Sequence, residues 1–120
     1  MSYVLCKGHL RNELHDAKKK QTVLTDGPTS YGGYEETYSP AELLADTYAS
    51  CAISIMAAVA SQMNCDLTGT YADTETAVDD KNFRLEHIGV HFHLPKSVDE
   101  KHRSSIEAAT RDMCIDRKSV

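Results

Sequence analysis

Hydrophobic and polar residues follow different patterns along this chain, and each pattern predicts a different element. Apolar and β-branched residues are frequent in 3–10 and 20–25, which is typical of strands. The polar residues 11–19 between them predict a turn or loop. Glycine and proline then cluster in 26–38, so we expect a loop there as well.

A long helix is predicted from Ser39 to Met63. Ser39 suits the N-cap, Pro40 suits the first helical position, and Glu42 completes a Ser-x-x-Glu capping box. Because few polar residues interrupt the helix on any side, we expect it to be buried at the centre of the fold. Apolar residues recur at spacings of three and four and include Leu44, Tyr48, Cys51, Ile55, Ala58 and Val59.

After this helix the hydrophobic period changes to two. The change predicts two strands, one within 69–78 and one through 83–85 and 88–94, and the polar residues 79–82 between them predict a turn. We therefore expect paired antiparallel strands in this part of the chain.

A second, shorter helix is predicted to follow Pro95. Ser97 and Glu100 repeat the spacing of a capping box, and the helix should continue to about Met113. The order strands, helix, strands, helix predicts an α+β fold. At 120 residues we expect one domain, 1–120.

Composition and charge narrow the range of partners. The formal net charge is −5, from 13 basic and 18 acidic residues, and the basic residues are scattered, which argues against nucleic acid as a partner. No window approaches the roughly 18 apolar residues of a membrane span, and the N-terminus lacks the pattern of a signal peptide. We therefore expect a soluble, cytoplasmic protein.

The candidate metal ligands are weak. His87, His91 and His93 share strand parity, and a His-x-His spacing can hold zinc or copper. The same spacing is also expected of the polar face of a half-buried strand. No cysteine or carboxylate obviously converges with these histidines, so we predict that they bind no metal.

The four cysteines are more informative together with the motifs around them. In a reducing compartment we expect thiols rather than structural disulfides, and no Cys-x-x-Cys is present. The segment that enters the long helix contains Asp26-x-Pro28, Gly32-Gly33, Ser39-Pro40-Ala41-Glu42-Leu43-Leu44-Ala45 and Ala49-Ser50-Cys51. Further motifs follow in order: Asn64-Cys65-Asp66-Leu67-Thr68-Gly69, Leu85-Glu86-His87-Ile88, His93-Leu94-Pro95 and Met113-Cys114.

From about residue 23 to residue 119, this combination resembles the OsmC-like family (osmotically inducible protein C and organic hydroperoxide resistance proteins). The resemblance implies antiparallel sheets packed around a long central helix, with a second, shorter helix, in an intertwined homodimer. It also implies a thiol-dependent peroxidase that uses no metal and no organic prosthetic group.

The resemblance assigns the chemistry to two cysteines. Cys51 would be the peroxidatic thiolate that reduces organic hydroperoxides, and Cys114 would condense with its sulfenic acid to form a disulfide. A small dithiol such as dihydrolipoamide would regenerate the redox pair. The alternative is a non-catalytic, stress-associated binding protein that keeps the family fold.

Two further site residues are expected with open alternatives. The family uses an arginine from the first loop together with a glutamate at the head of the central helix; Arg11 is the candidate arginine, or else a solvated turn residue. Glu42 lies one position after the family's glutamate, where this chain has Ala41, so it either acts at the site or only closes the capping box. Members usually continue Cys114 with proline and a final strand. Here residues 115–120 differ, so the strand is missing or the sheet is completed differently.

Overall fold

The computed structural model of this chain describes residues 2–79, 81–82 and 84–113. It confirms an α+β fold with antiparallel sheets and two helices. The strands are β1 (Ser2–Gly8), β2 (Arg11–Asp16), β3 (Gln21–Thr25), β4 (Tyr71–Asp79) and β5 (Arg84–His93), and the helices are α1 (Pro40–Gln62) and α2 (Glu100–Met113).

The chain forms two compact units. The first contains β1, β2, β3, the loop to the first turn of α1 at Leu44, and the tip of the second hairpin from Val78 to Leu85. The second contains the rest of α1, most of β4 and β5, and α2.

The first unit is built on a sheet with the strand order β1-β2-β3. The prediction of a polar loop at 11–19 was wrong, because Arg11–Asp16 is the central strand and pairs with both neighbours. The polar residues of β2 suggested a loop, but its charged side chains have partners that allow a strand. Arg11 binds Asp26, and Glu13 Oε1 lies 2.9 Å from His15 Nε2. A strand whose charges are paired does not need the usual hydrophobic alternation.

The turn between β1 and β2 is tight. Gly8 pairs with Arg11, so only His9 and Leu10 connect the strands, and both have positive φ, 53° and 63°. Such a turn normally uses asparagine and glycine. Here the loop residue Gly27 donates its backbone N–H to Leu10 O at 3.1 Å, and a side chain at Gly27 would collide with Leu10. The turn is therefore held by contacts outside itself.

The second unit contains the core. One face of α1 is buried, at Ala45, Ala49, Ala52, Met56 and Ala60. Met56 and Ala60 pack with Leu67, Val98 and Ile106. Thr74 of β4 donates its hydroxyl to Asp46 Oδ1 at 2.5 Å, which ties this strand to α1.

The burial of α1 on nearly all sides is expected of a dimer, and it stays a prediction. In the single chain, Leu44 is 53 % exposed, and Cys51 and Ile55 are only partly buried. The helix therefore presents two stripes, one packed inside its unit and one that the single chain does not cover.

The expectation that no segment is apolar enough for a membrane span was also wrong. The 23 residues of α1 are long and apolar enough to cross a membrane, by length and composition only. This is weak evidence, because the core helix of a soluble protein passes the same test. The packing of Met56 and Ala60 in the core favours the latter interpretation.

The second helix is capped differently from the prediction. Asp99, rather than Ser97, is the capping residue, since its Oδ1 accepts the backbone N–H of His102 at 2.8 Å. That hydrogen bond holds the pKa of Asp99 below its usual value. The predicted second strand, through 83–85 and 88–94, is confirmed as β5, Arg84–His93. The turn before it forms as expected, with Asp79 Oδ1 accepting the backbone N–H of Lys81 at 3.0 Å.

Candidate active site

Cys51 lies in the middle of α1 and is partly buried. Successive helical residues are about 100° apart, so Cys51 lies on the edge of the packed face that its neighbour Ala52 occupies. Its sulfur belongs to the stripe of α1 that also contains Leu44 and Ile55. The thiol of Cys51 is therefore neither fully buried nor fully exposed. Reactive cysteines need such partial access to solvent.

A cavity of about 490 Å³ lies next to this turn of the helix. Its α1 wall is formed by Tyr48, Ala52 and Met56. Ala52 directly follows Cys51 in the chain, and Tyr48 and Met56 lie one helical turn before and after Ala52. The opposite walls come from β5 and α2. The cavity could hold the apolar part of a small molecule, and sequence reasoning did not predict it.

Arg11, at the start of β2, binds two carboxylates. Its Nε donates to Asp26 Oδ1 at 2.7 Å and its Nη2 to Asp26 Oδ2 at 2.9 Å, and Nη2 also donates to Glu36 Oε1 at 3.0 Å. The guanidinium lies over the ring of Tyr34, 4.5 Å from its centroid. The hydrogen bond that Arg11 donates to Asp26 raises the pKa of Arg11 above its usual value. Arg11 is therefore an ordered, partly buried ion-pair residue, rather than a solvated turn residue.

Asp26, a buried carboxylate that binds Arg11, is the candidate site residue that the sequence did not reveal. Only 2 % of it is exposed, and besides Arg11 it accepts the backbone N–H groups of Glu36 and Thr37, both at 3.0 Å. The hydrogen bond from Arg11 is the main reason why the pKa of Asp26 is far below its usual value. With two carboxylates around one guanidinium, the Arg11 cluster has a formal charge of −1.

Glu42 takes part in the N-terminal cap of α1. Its backbone N–H donates to Ser39 Oγ at 3.1 Å, as the predicted cap requires, and its side chain is exposed. It also lines a cavity of about 650 Å³ in the first unit, together with Pro40, Ala41 and Leu44. The cap explains the position of Glu42, and a role in chemistry remains a prediction.

The predicted site residues are thus spread over the chain. Arg11 and Glu42 belong to the first unit and Cys51 to the second, and Cys114 lies outside the described residues. The redox pair of Cys51 and Cys114 therefore stays a prediction.

The histidines of β5 form pairs with acids of β4. His93 Nε2 lies 2.8 Å from Asp73 Oδ2, and its ring stacks on Tyr71. His87 Nε2 lies 3.8 Å from Glu75 Oε1. Within residues 2–79, 81–82 and 84–113, no three histidine, cysteine or acidic side chains are placed to hold a metal ion. That the protein binds no metal stays a prediction.

Fold and site together define a protein of the α+β class with a partly buried cysteine on its long helix. Residues 33–120 match the family model described as OsmC-like protein. The chain therefore belongs to the OsmC-like family. Membership also favours a core helix over a membrane span for α1.

Solved structures agree with this assignment. A Psychrobacter arcticus protein named for osmotic stress induction and a detoxification response is 26 % identical, with a TM-score of 0.89, over 99 % of this chain and 86 % of that one. An organic hydroperoxide resistance protein OsmC of Legionella pneumophila is 18 % identical, with a TM-score of 0.73, over 99 % and 88 %. The organic hydroperoxide resistance protein OhrB of Bacillus subtilis is 18 % identical, with a TM-score of 0.66, over 99 % and 89 %. No curated protein sequence matches significantly.

Proposed function

We propose that this protein reduces organic hydroperoxides through the thiol of Cys51. The observation that carries the proposal is the position of Cys51, partly accessible on α1 and one residue from a cavity to which α1 contributes Ala52 and Met56. Membership of the OsmC-like family and the two similar proteins named for organic hydroperoxide resistance support it.

The proposed reaction needs two thiols. The Cys51 thiolate attacks the distal peroxide oxygen and the O–O bond breaks; the alkoxide takes up a proton and leaves as the alcohol, and the sulfur becomes a sulfenic acid. The thiol of Cys114 then attacks this sulfur and expels water, forming a disulfide. A dithiol such as dihydrolipoamide reduces the disulfide by exchange and is itself oxidised.

Arg11 would serve this reaction by favouring the thiolate, as a cation near a cysteine does. The cluster around it limits that effect, because Asp26 and Glu36 already compensate its charge. We therefore propose that Arg11 acts mainly by orienting the reacting groups, and that its charge contributes less to favouring the thiolate. For Glu42 we propose a minor contribution, since its backbone N–H already serves in the helix cap.

We also propose a cytoplasmic homodimer. Val4, Leu14 and Val23 form one row across the first sheet, and Val4 is 67 % exposed. On the other face Tyr3 and Leu5 are exposed too. A sheet with apolar residues on both faces, and a helix with an uncovered apolar stripe, are typical of chains that bury surface against a second copy. Sedimentation that shows a monomer at micromolar concentration would contradict this.

A non-catalytic, stress-associated binding protein is the second candidate. The compensated charge of Arg11 favours it, and so does Ala41 at the position of the family's acid. The name of the Psychrobacter arcticus protein, which refers to osmotic stress and detoxification, is compatible with either function.

A peroxide-consumption assay separates the two candidates. With cumene hydroperoxide and dihydrolipoamide, we expect turnover by the natural protein, loss of turnover in Cys51→Ser, and little change in the control variant Cys65→Ser, since Cys65 packs against the core. Cys114→Ser should keep the first turnover and let Cys51 overoxidise. If Cys51 alkylates no faster than Cys6 or Cys65 and no linked peptide joins Cys51 to Cys114, the binding-protein function is supported.

A further inference from the structure

One nitrogen of the Arg11 guanidinium remains available to a bound molecule. Nε and Nη2 donate to the two oxygens of Asp26, and Nη2 also donates to Glu36. The plane of the guanidinium lies over the ring of Tyr34, and 25 % of the Arg11 side chain is exposed. Among residues 2–79, 81–82 and 84–113, no group accepts a hydrogen bond from Nη1. The two N–H donors of Nη1 are therefore the ones that Arg11 can offer to a ligand.

Asp26 is the fixed partner in this arrangement. Its side chain is fully buried, and its Oδ2 accepts the backbone N–H groups of Glu36 and Thr37, both at 3.0 Å. Its own backbone N–H donates to Tyr38 O at 2.8 Å. Because the backbone of the surrounding loop holds this carboxylate in place, Asp26 sets the direction of the longer and more flexible Arg11 side chain.

The two hydrogen bonds to Asp26 determine the orientation of the guanidinium. Parallel hydrogen bonds from Nε and Nη2 to one carboxylate fix a planar group more strictly than a single hydrogen bond does, and stacking on Tyr34 limits its tilt. Because Nε and Nη2 share one edge of the guanidinium, Nη1 points away from Asp26. Glu36 contributes less to this orientation, since it binds Nη2 alone and 66 % of its side chain is exposed.

We propose that Asp26 is a positioning residue for hydroperoxide reduction, which directs Nη1 of Arg11 at the oxygen that leaves as the alkoxide. This role rests on the proposed reaction of Cys51, in which negative charge develops on that oxygen as the O–O bond breaks. A donor already aimed at the oxygen stabilises this charge without reorganising during the reaction. Because Asp26 also compensates the charge of Arg11, Nη1 acts mainly as an aimed hydrogen-bond donor, and Asp26 itself need not touch the substrate.

The test compares two reactions of the Cys51 thiol in the full chain, each followed in a single turnover. Reduction of cumene hydroperoxide has a leaving oxygen to stabilise, whereas alkylation by iodoacetamide depends mainly on the thiolate. In Asp26→Asn we expect the peroxide rate to fall about tenfold or more, and the alkylation rate across the pH profile to change by less than about twofold. Glu36→Gln is the matched control, since it removes the other carboxylate on the same guanidinium, and should change either rate by less than about threefold.

Chemical rescue tests the same role without changing Asp26, whose replacement is also expected to weaken the fold. Arg11→Ala should lose about as much peroxide reduction as Asp26→Asn does. Added ethylguanidinium should raise the peroxide rate of Arg11→Ala about threefold or more, because Asp26 can bind the planar group and aim it. Propylammonium has the same charge without the planar fork, and should raise this rate by less than about 1.5-fold.

The role of Asp26 is overturned if Asp26→Asn reduces peroxide at the natural rate, or loses peroxide reduction and alkylation equally, as a purely structural residue would. It is also overturned if Glu36→Gln slows peroxide reduction as much, or if ethylguanidinium rescues Arg11→Ala no better than propylammonium does. Should Asp26→Asn not fold, the rescue experiment decides. A natural protein that alkylates at Cys51 but leaves cumene hydroperoxide intact would overturn the proposed function and this role with it, whereas natural turnover with any of the earlier results overturns the role alone.

Discussion

The two units of this protein differ in the kind of side chain that they bury. The second unit encloses a core in which Val98 is 3 % and Ile106 0 % exposed. The first unit has a sheet on which Val4 and Val23 remain exposed, and among its described residues the most buried side chain is a charged one, Asp26. Hydrophobic packing therefore stabilises the second unit, whereas an ion pair and backbone hydrogen bonds organise the first. We therefore expect the stability of the first unit to depend more on pH than that of the second.

The largest effect should come from the core of the second unit. Ile106→Ala should lower the free energy of unfolding by about 2–5 kcal/mol, because it leaves a cavity where Ile106 packs against Met56 and Val98. Urea unfolding measures this.

A matched valine pair sharpens the same comparison. Val98→Ala should cost more than about 1 kcal/mol, whereas Val4→Ala should change stability by less than about 0.5 kcal/mol in the monomer. Equal effects would remove the distinction between the units. A large Val4 effect that grows with protein concentration would instead show that a second copy covers the sheet.

The next effect concerns the buried carboxylate of the first unit. Because its pKa is lowered in the folded state, Asp26 stabilises the fold at pH values above the ordinary value near 3.8, and this stabilisation is lost as the pH falls toward the folded-state pKa. Asp26→Asn should therefore reduce stability at pH 7, and its difference from the natural protein should shrink below about pH 4.

Urea unfolding across this pH range checks the prediction, with Asp73→Asn as the control, since Asp73 is an exposed acid that binds His93. A deficit of Asp26→Asn that stays constant down to pH 2 would mean that ionisation of Asp26 is not what stabilises the fold.

The cost in stability of replacing a glycine by alanine should also differ between the units. A Cβ at Gly33 would collide with the backbone carbonyl of Gly27, and neither backbone can move easily, so Gly33→Ala should cost about 1–3 kcal/mol. At Gly89 the obstacle is the carboxylate end of Glu75, a flexible side chain. Gly89→Ala should therefore cost clearly less, and thermal unfolding that ranks the two the other way would refute this account.

The smallest effect is expected at the cap of α1. Ser39→Ala should cost about 1 kcal/mol because the backbone N–H of Glu42 loses its acceptor. Ser54→Ala on the same helix should change stability by less than about 0.5 kcal/mol, since Ser54 Oγ only donates back to Ser50 O at 2.9 Å. Equal effects of the two serines would indicate that the cap is unimportant.

Local patterns predicted more of the second unit than of the first. The ends of α1, expected at 39 and 63, lie at Pro40 and Gln62, because the cap and the helical periodicity are written in neighbouring residues. The hairpin turn after Asp79 was predicted for the same reason. By contrast, β2 was missed, since the partners that make its charges acceptable are as far away as Asp26, 15 positions along the chain.

The sequence by itself determined the class of the fold, the long helix with Cys51 in it, and the family, because these depend on short-range patterns and on motif order. Only the tertiary structure decided that Asp26 and Glu36 compensate the charge of Arg11 and that Cys51 lies at the edge of the packed face of α1. It also decided that residues of α1, β5 and α2 line one cavity. Each of these facts depends on residues far apart in the chain that folding brings together. No local pattern records which distant carboxylate meets a guanidinium.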